Sequence, residues 1–199
     1  AAIEVLEQLA RTHTDLPIVH STLGDTLRRE QMFASAVEAY DRAIALYGGV
    51  TRSPWFILYA RGISHERLGH WPESEADLRA ALKLNPDQPQ VMNYLAYSLV
   101  EKKVNLQEAL SLIKRAVALQ PQSGYIVDSL GWVLFRLGQY TKAVAHMERA
   151  TELMPVDPIV NDHLGDVYWS VGRRLEAEFQ WNRALSFKPE EKDATRIRR

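Results

Sequence analysis

The 199-residue chain contains no cysteine. Without thiols it can form neither a disulfide framework nor a thiolate zinc site, and it has no cysteine nucleophile. The absence does not choose a compartment, because cytosolic and periplasmic proteins can both lack cysteine. Long apolar runs are missing too: no stretch approaches the roughly 18 apolar residues that span a bilayer. Residues 1–30 also lack the basic and then apolar segments of a signal peptide.

Excess charge of either sign is also absent. Lysine and arginine together number 24 and aspartate and glutamate 25, so the formal net charge is −1. A chain without a basic excess gains little from releasing counterions from a nucleic-acid backbone, and we do not expect a nucleic-acid partner. The composition is 46% hydrophobic and 25% charged, as in an ordinary globular domain.

An internal repeat organises the chain. Steps of 34 to 38 residues separate five pairs that end in a small residue: Leu23-Gly24, Arg61-Gly62, Leu95-Ala96, Leu130-Gly131 and Leu164-Gly165. A second repeat position is also occupied by small residues, namely Ala36, Ser74, Ala109, Ala143 and Ala177. A third is always alanine: Ala43, Ala81, Ala116, Ala150 and Ala184. Between these two positions stand the bulky residues Tyr40, Leu78, Ile113, Met147 and Trp181. A period of this length is typical of a solenoid of repeated hairpins.

Each unit is predicted to be a pair of helices. Small residues allow two helix backbones to approach closely, and the large residue beside them fills the remaining space. Proline, which cannot continue a helix, closes four of the units at Pro86, Pro121, Pro155 and Pro189. One such hairpin cannot bury its own apolar face, so stacking of neighbours is expected.

These residues resemble the tetratricopeptide repeat, whose pattern is W-x₂-L-G-x₂-Y, then A-x₃-F, then P, over 34 residues. Leu164, Gly165, Tyr168 and Ala177 follow it in the last repeat. The leading tryptophan is missing from all five repeats, and Arg61 replaces a leucine. The resemblance implies an all-α fold, an α-α superhelix of five full repeats with a half repeat before them and a capping helix after them.

The predicted organisation is one solenoid domain over residues 1–199. Its parts are a half repeat at 2–16, repeats at 17–54, 55–88, 89–123, 124–157 and 158–189, and a capping helix at 190–199. Because the register begins in the middle of a repeat, we expect a fragment of a longer chain. The apolar residues Ile3, Leu6 and Leu9 would then lack a neighbour, which predicts possible homo-association through this face.

The sequence carries no catalytic signature. The six histidines do not have metal-ligand spacing, and no phosphate-binding loop, dinucleotide fingerprint or nucleophile elbow is present. We therefore expect no enzyme activity, no metal, no cofactor and no small-molecule substrate.

The face of the first helices is the predicted binding surface. In tetratricopeptide proteins this face is concave, and here helical spacing places an unusual number of aromatic and acidic side chains on it. The predicted partner is another protein or peptide, bound through Tyr59, Asn93, Tyr97, Tyr125, Asp128, Trp132, Phe135, Arg136, Asp162, Asp166 and Trp169.

The charge of this face points to the kind of partner. Members of the family that bind chaperone C-termini hold a terminal carboxylate with lysine and asparagine, whereas Asp128, Asp162 and Asp166 stand here. We therefore predict an apolar segment with at least one basic residue near the fourth and fifth repeats, and not a carboxylate clamp.

Two other functions remain open from the sequence. The chain could be the substrate-recruiting arm of a larger enzyme such as a glycosyltransferase, or a self-assembling scaffold. Segments 93–99 and 128–135 are similar to late repeats of bacterial envelope lipoproteins that act as adaptors. That resemblance implies the periplasmic side of a bacterial envelope, with the cytoplasm as the alternative.

Overall fold

The computed structural model describes residues 2–198, and these residues form helices and no strand. The all-α class predicted from the repeat is therefore confirmed. The helices are α1 (Ala2–Thr12), α2 (Pro17–Arg29), α3 (Phe33–Leu46), α4 (Trp55–Arg67), α5 (Trp71–Leu84), α6 (Pro89–Glu101), α7 (Leu106–Leu119), α8 (Gly124–Arg136), α9 (Tyr140–Leu153), α10 (Pro158–Ser170), α11 (Arg174–Ser186) and α12 (Glu191–Ile197), with a 3₁₀ turn at Val50–Arg52.

The contacts divide the chain into two compact units, residues 1–91 and 92–199. In the N-terminal unit α2 packs against α3 and α4 against α5; in the C-terminal unit α8 packs against α9 and α10 against α11. These pairs are four of the five predicted hairpins. The organisation as one domain with the boundaries given above stays a prediction.

The repeat positions with small residues are the places where paired helices approach most closely. A Cβ atom added to Gly24 would lie 2.7 Å from the ring of Tyr40, and one added to Gly131 would lie 2.9 Å from Met147. Both distances are too short for a methyl group. Each glycine is therefore required by the large residue of the facing helix, as the sequence pattern indicated.

The third of these positions is completely buried. Ala43, Ala81, Ala116, Ala150 and Ala184 are all 0% exposed. Of the five bulky residues, the first four are also fully buried, while Trp181 is half-buried. In the first four hairpins a large side chain is thus fully buried beside the small residues, which leaves little space for an additional methylene.

Arg61, which departs from the family pattern, links three helices of the N-terminal unit. Its Nε donates to Asp77 Oδ2 at 2.7 Å and its Nη2 to Asp77 Oδ1 at 2.6 Å. Its Nη1 donates to Asp41 at 2.5 Å. Since Asp77 is buried, the arginine neutralises a carboxylate that would otherwise be uncompensated. The departure therefore replaces an apolar contact by a bidentate ion pair.

Helix α1 exposes much of its apolar surface. Val5 and Leu9 are exposed, whereas Ile3 and Leu6 are half-buried. Homo-association through this face stays a prediction. Among the described residues, no helix is both long enough and apolar enough to cross a membrane.

Two alanines of α9 allow the packing of this helix to be tested. Ala143 is buried and Ala145 is exposed. Ala143→Leu should lower the free energy of unfolding by about 1–3 kcal/mol, because the added atoms have no space. Ala145→Leu should change it by less than about 0.5 kcal/mol. Urea unfolding followed by circular dichroism measures both, and equal effects of the two substitutions would contradict the packing described.

Restoring the family residue at position 61 should destabilise the protein. Arg61→Leu leaves the buried Asp77 carboxylate unpaired, at a cost of about 3 kcal/mol in the free energy of unfolding. Adding Asp77→Ala removes that carboxylate and should recover most of the loss. If Arg61→Leu alone were neutral in the same urea experiment, the ion pair would have no structural role.

Candidate functional site

The C-terminal unit contains a cleft on the face of its first helices. Side chains of α6, α8, α10 and α12 surround a volume of about 410 Å³. Its lining residues combine aromatic, acidic and basic side chains: Tyr97, Glu101, Trp132, Ile159, Asp162, His163, Lys192, Asp193 and Arg196. A partly open cleft with apolar walls and a few polar groups is the usual form of a binding site.

One end of the cleft is organised by Glu101. Its Oε1 accepts the indole N–H of Trp132 at 2.9 Å and a hydrogen bond from Arg136 Nη1 at 2.8 Å. These two bonds tie α8 to the last residue of α6. They also hold Trp132 and Arg136 in place beside the half-exposed carboxylate.

The other end is organised by Asp162 and Asp166, one turn apart on α10. Asp162 is 1% exposed, and its Oδ2 accepts a hydrogen bond from Arg196 of α12. Its Oδ1 is buried and accepts no hydrogen bond from the part of the chain that the structure describes. A buried carboxylate oxygen without a donor is costly, so this atom would gain from a further donor, which reaches it only when a side chain that covers it moves.

Asp166 is held by two donors. The indole N–H of Trp181 donates to its Oδ1 at 3.1 Å, and Arg196 Nη1 lies 3.4 Å from its Oδ2. Burial raises the pKa of Asp166, although the nearby His163 and the Trp181 bond act in the opposite direction. Asp162 and Asp166 therefore form a pair of carboxylates that together attract a cation.

The wall between the two ends is a buried ion pair covered by a ring. His163 Nδ1 lies 3.0 Å from Asp128 Oδ2, and both side chains are buried. Trp132 stacks on the imidazole, with ring centroids 4.1 Å apart and planes 14° apart. Burial alone would lower the pKa of His163, but the charge of Asp128 and its hydrogen bond raise it above the ordinary value.

The structure brings together only part of the predicted binding set. Tyr97, Trp132 and Asp162 line the cleft, while Arg136 and Asp166 contact its lining residues. Burial raises the pKa of the Tyr97 hydroxyl to about 12, and the nearby Glu101 adds to this, so the phenol stays a neutral donor.

Several predicted residues lie elsewhere. Asp128 is buried, and its carboxylate lies against His163 and not in the cleft lining. Phe135 packs between Trp132 and Tyr140, with ring centroids 4.9 and 5.4 Å away.

The remaining residues of the predicted set are outside the cleft lining. Tyr125 and Trp169 are exposed, and Trp169 is covered on one side by the Arg174 guanidinium, 3.6 Å from the ring centroid. Asn93 is half-buried, with its Oδ1 enclosed and without a hydrogen-bond partner among the described residues. Tyr59 belongs to the N-terminal unit, where it packs beside Trp55.

Six residues of the cleft lining are not in the predicted set: Glu101, Ile159, His163, Lys192, Asp193 and Arg196. Helical spacing places Glu101 on the predicted binding face of α6. Its role, however, depends on the donors Trp132 and Arg136, which lie more than thirty residues away in the sequence. His163 follows Asp162 directly, and no local pattern announces its pairing with Asp128. The position of Arg196 could have been predicted from the length of the repeat. Helix α12 begins 33 residues after α10 begins, so it occupies the place of a further first helix.

Comparison with known families matches the repeats directly. Two models described as tetratricopeptide repeat match residues 59–124 and 127–155. The second matched segment contains α9 and most of α8, and α8 carries Asp128, Trp132 and Arg136.

Two curated proteins share parts of the chain. A TPR repeat-containing protein of Pseudomonas aeruginosa is 33% identical over 91 residues, which are 46% of this chain and 15% of that protein. The BBSome complex member BBS4 of Bos taurus is 27% identical over 117 residues, 57% of this chain and 21% of that protein. The chain thus spans less than a quarter of either relative.

Solved structures share the fold at low sequence identity. YrrB, described as a TPR protein with an unusual peptide-binding site, is 18% identical with a TM-score of 0.69, and 98% of each chain is covered. PilF of Pseudomonas aeruginosa is 16% identical with a TM-score of 0.76, covering 91% of this chain and 80% of that one. Cut9, solved with Hcn1, gives a TM-score of 0.83 at 18% identity, covering 98% and 38%.

The buried His163–Asp128 pair predicts a pH dependence of stability. Because folding raises the pKa of His163, the pair stabilises the fold fully below the ordinary histidine value of about 6.5. This contribution is lost as the pH rises through the raised pKa of the folded state. We therefore expect the free energy of unfolding of the wild type, measured with urea, to fall relative to that of His163→Gln as the pH rises from about 6 to the raised pKa of His163.

The comparison with His163→Gln removes the effect of other histidines. Burial lowers the pKa of His65 and of His146, where Lys114 adds to the effect, and these two groups change stability in the opposite direction. A wild-type curve parallel to that of His163→Gln across this range would show that the imidazole is not charged in the fold.

Proposed function

Because this chain is a tetratricopeptide repeat protein, we propose that it is a scaffold that binds an apolar segment of another protein, with a basic side chain of that segment held in the cleft. A role in protein–protein interaction is the common property of such repeats. The peptide-binding site attributed to YrrB supports the more specific proposal, as does the geometry of the C-terminal unit.

The unsatisfied oxygen of Asp162 is the observation that carries the proposal. A guanidinium can donate to both oxygens of one carboxylate, and such charge-assisted pairs are shorter and stronger than neutral hydrogen bonds. Asp162 offers one oxygen without a donor, and Asp166 adds negative charge one turn away. A carboxylate ligand would be repelled here and would leave Asp162 Oδ1 unpaired.

Apolar and aromatic groups around the carboxylates supply contact area. Tyr97, Trp132 and Ile159 line the same cleft, and Ile159 is 48% exposed. Trp132 is fixed by its stacking on His163 and its bond to Glu101, so binding would cost little side-chain entropy there. The cleft therefore suits a long side chain with an apolar stem and a cationic end.

The proposal is tested with three labelled heptapeptides of alanine and leucine that differ only in a central arginine, glutamine or glutamate. Fluorescence anisotropy should show the arginine peptide binding about tenfold more tightly than the glutamine peptide, as one added charged hydrogen bond implies. The glutamate peptide should bind most weakly.

Asp162→Asn should remove the preference for arginine over glutamine. Glu152→Gln is the matched control, because Glu152 is an exposed carboxylate on α9 and lines no part of the cleft. Circular dichroism establishes that both variants are folded. A preference that survives Asp162→Asn, or equal binding of all three peptides, would refute the proposed site.

A further inference from the structure

Helix α12 already places a basic side chain in the cleft. It is seven residues long and follows α11 across a short loop in which Lys188 has a φ of 56°. Ala194 is its one buried residue, and Arg196, half a turn later, reaches Asp162 and Asp166 of α10. The contact that a partner's arginine would make is thus made by the chain itself.

We propose that α12 is an autoinhibitory segment, whose Arg196 occupies the carboxylate pair until a partner's basic side chain displaces it. The inference rests on the proposed function, since it requires that the cleft accept a basic residue. It adds an intramolecular competitor, so the affinity measured for any partner is reduced by the fraction of molecules in which Arg196 is bound.

The attachment of α12 is weak enough to be reversible. The Arg196 side chain is 49% exposed, but the Asp162 side chain is 2% exposed, so this buried carboxylate needs a basic partner and Arg196 is released in exchange for another one. A helix with one buried alanine gains little from packing, and elements with few buried contacts open at low free-energy cost. Displacement of α12 therefore does not require unfolding of the hairpin formed by α10 and α11.

Arg196 also leaves the site incompletely satisfied. It binds Oδ2 of Asp162, while Oδ1 stays without a donor among the described residues. A guanidinium presented by a partner in a better orientation can bond both oxygens, which gives the partner an advantage over the tethered residue. Because Arg196 belongs to the same chain, its effective concentration at the cleft is high, and this offsets the advantage of the partner.

The other charges of α12 are arranged differently. Lys192 and Asp193 line the cleft but are not paired with Asp162 or Asp166 in the structure. Arg198, two residues after Arg196, lies 3.6 Å from Glu191 within α12. Arg198→Ala therefore removes the same charge from the same helix without removing the contact with α10.

The test measures binding of the labelled arginine heptapeptide to the intact chain and two variants. Arg196→Ala should bind it about three- to tenfold more tightly than the wild type, because the competitor is absent. Arg198→Ala should bind like the wild type. The Trp132 indole N–H resonance should also shift in Arg196→Ala without peptide, since the cleft beside it is then open.

The outcomes separate the two proposals. Equal affinity of the wild type and Arg196→Ala, with the preference for arginine still lost in Asp162→Asn, would overturn autoinhibition and leave the basic-residue site intact. Absence of arginine-specific binding in every variant, Arg196→Ala included, would overturn both. An equal gain in Arg196→Ala and Arg198→Ala would show a general effect of net charge, and would also overturn autoinhibition.

Discussion

The close approach of two helices within each hairpin is the constraint on which the rest depends. Gly24 against Tyr40 and Gly131 against Met147 leave no space for a methyl group, and the repeat position that is always alanine is buried completely. Within the C-terminal unit, first helices of successive repeats then lie side by side. Residues about 35 positions apart can then meet, as His163 and Asp128 do.

Binding chemistry in the C-terminal unit follows from that spacing. Helices α6, α8 and α10 contribute Glu101, Trp132 and Asp162 to one cleft, although these residues lie about 30 positions apart in the sequence. Repetition thus assembles a mixed site from different positions on successive first helices. Tetratricopeptide repeats can in this way keep one fold while varying the ligand.

The sequence predicted the fold well because the repeat positions with small residues and the bulky positions between them are local, periodic signals. It predicted the site less well. Spacing places Asp128 and Asp162 on the same face of their helices, but it cannot tell that a histidine of the next repeat lies against the Asp128 carboxylate inside the protein. The role of Arg61 was hidden for the same reason, since its partners Asp77 and Asp41 lie on other helices.

A crystal structure of the chain with the arginine heptapeptide tests the central claim most directly. The account predicts the peptide guanidinium on Asp162, with both carboxylate oxygens accepting, and Arg196 moved away from α10. A peptide bound on the second helices, or in the cleft with its arginine directed into solvent while Arg196 keeps its place, would contradict it.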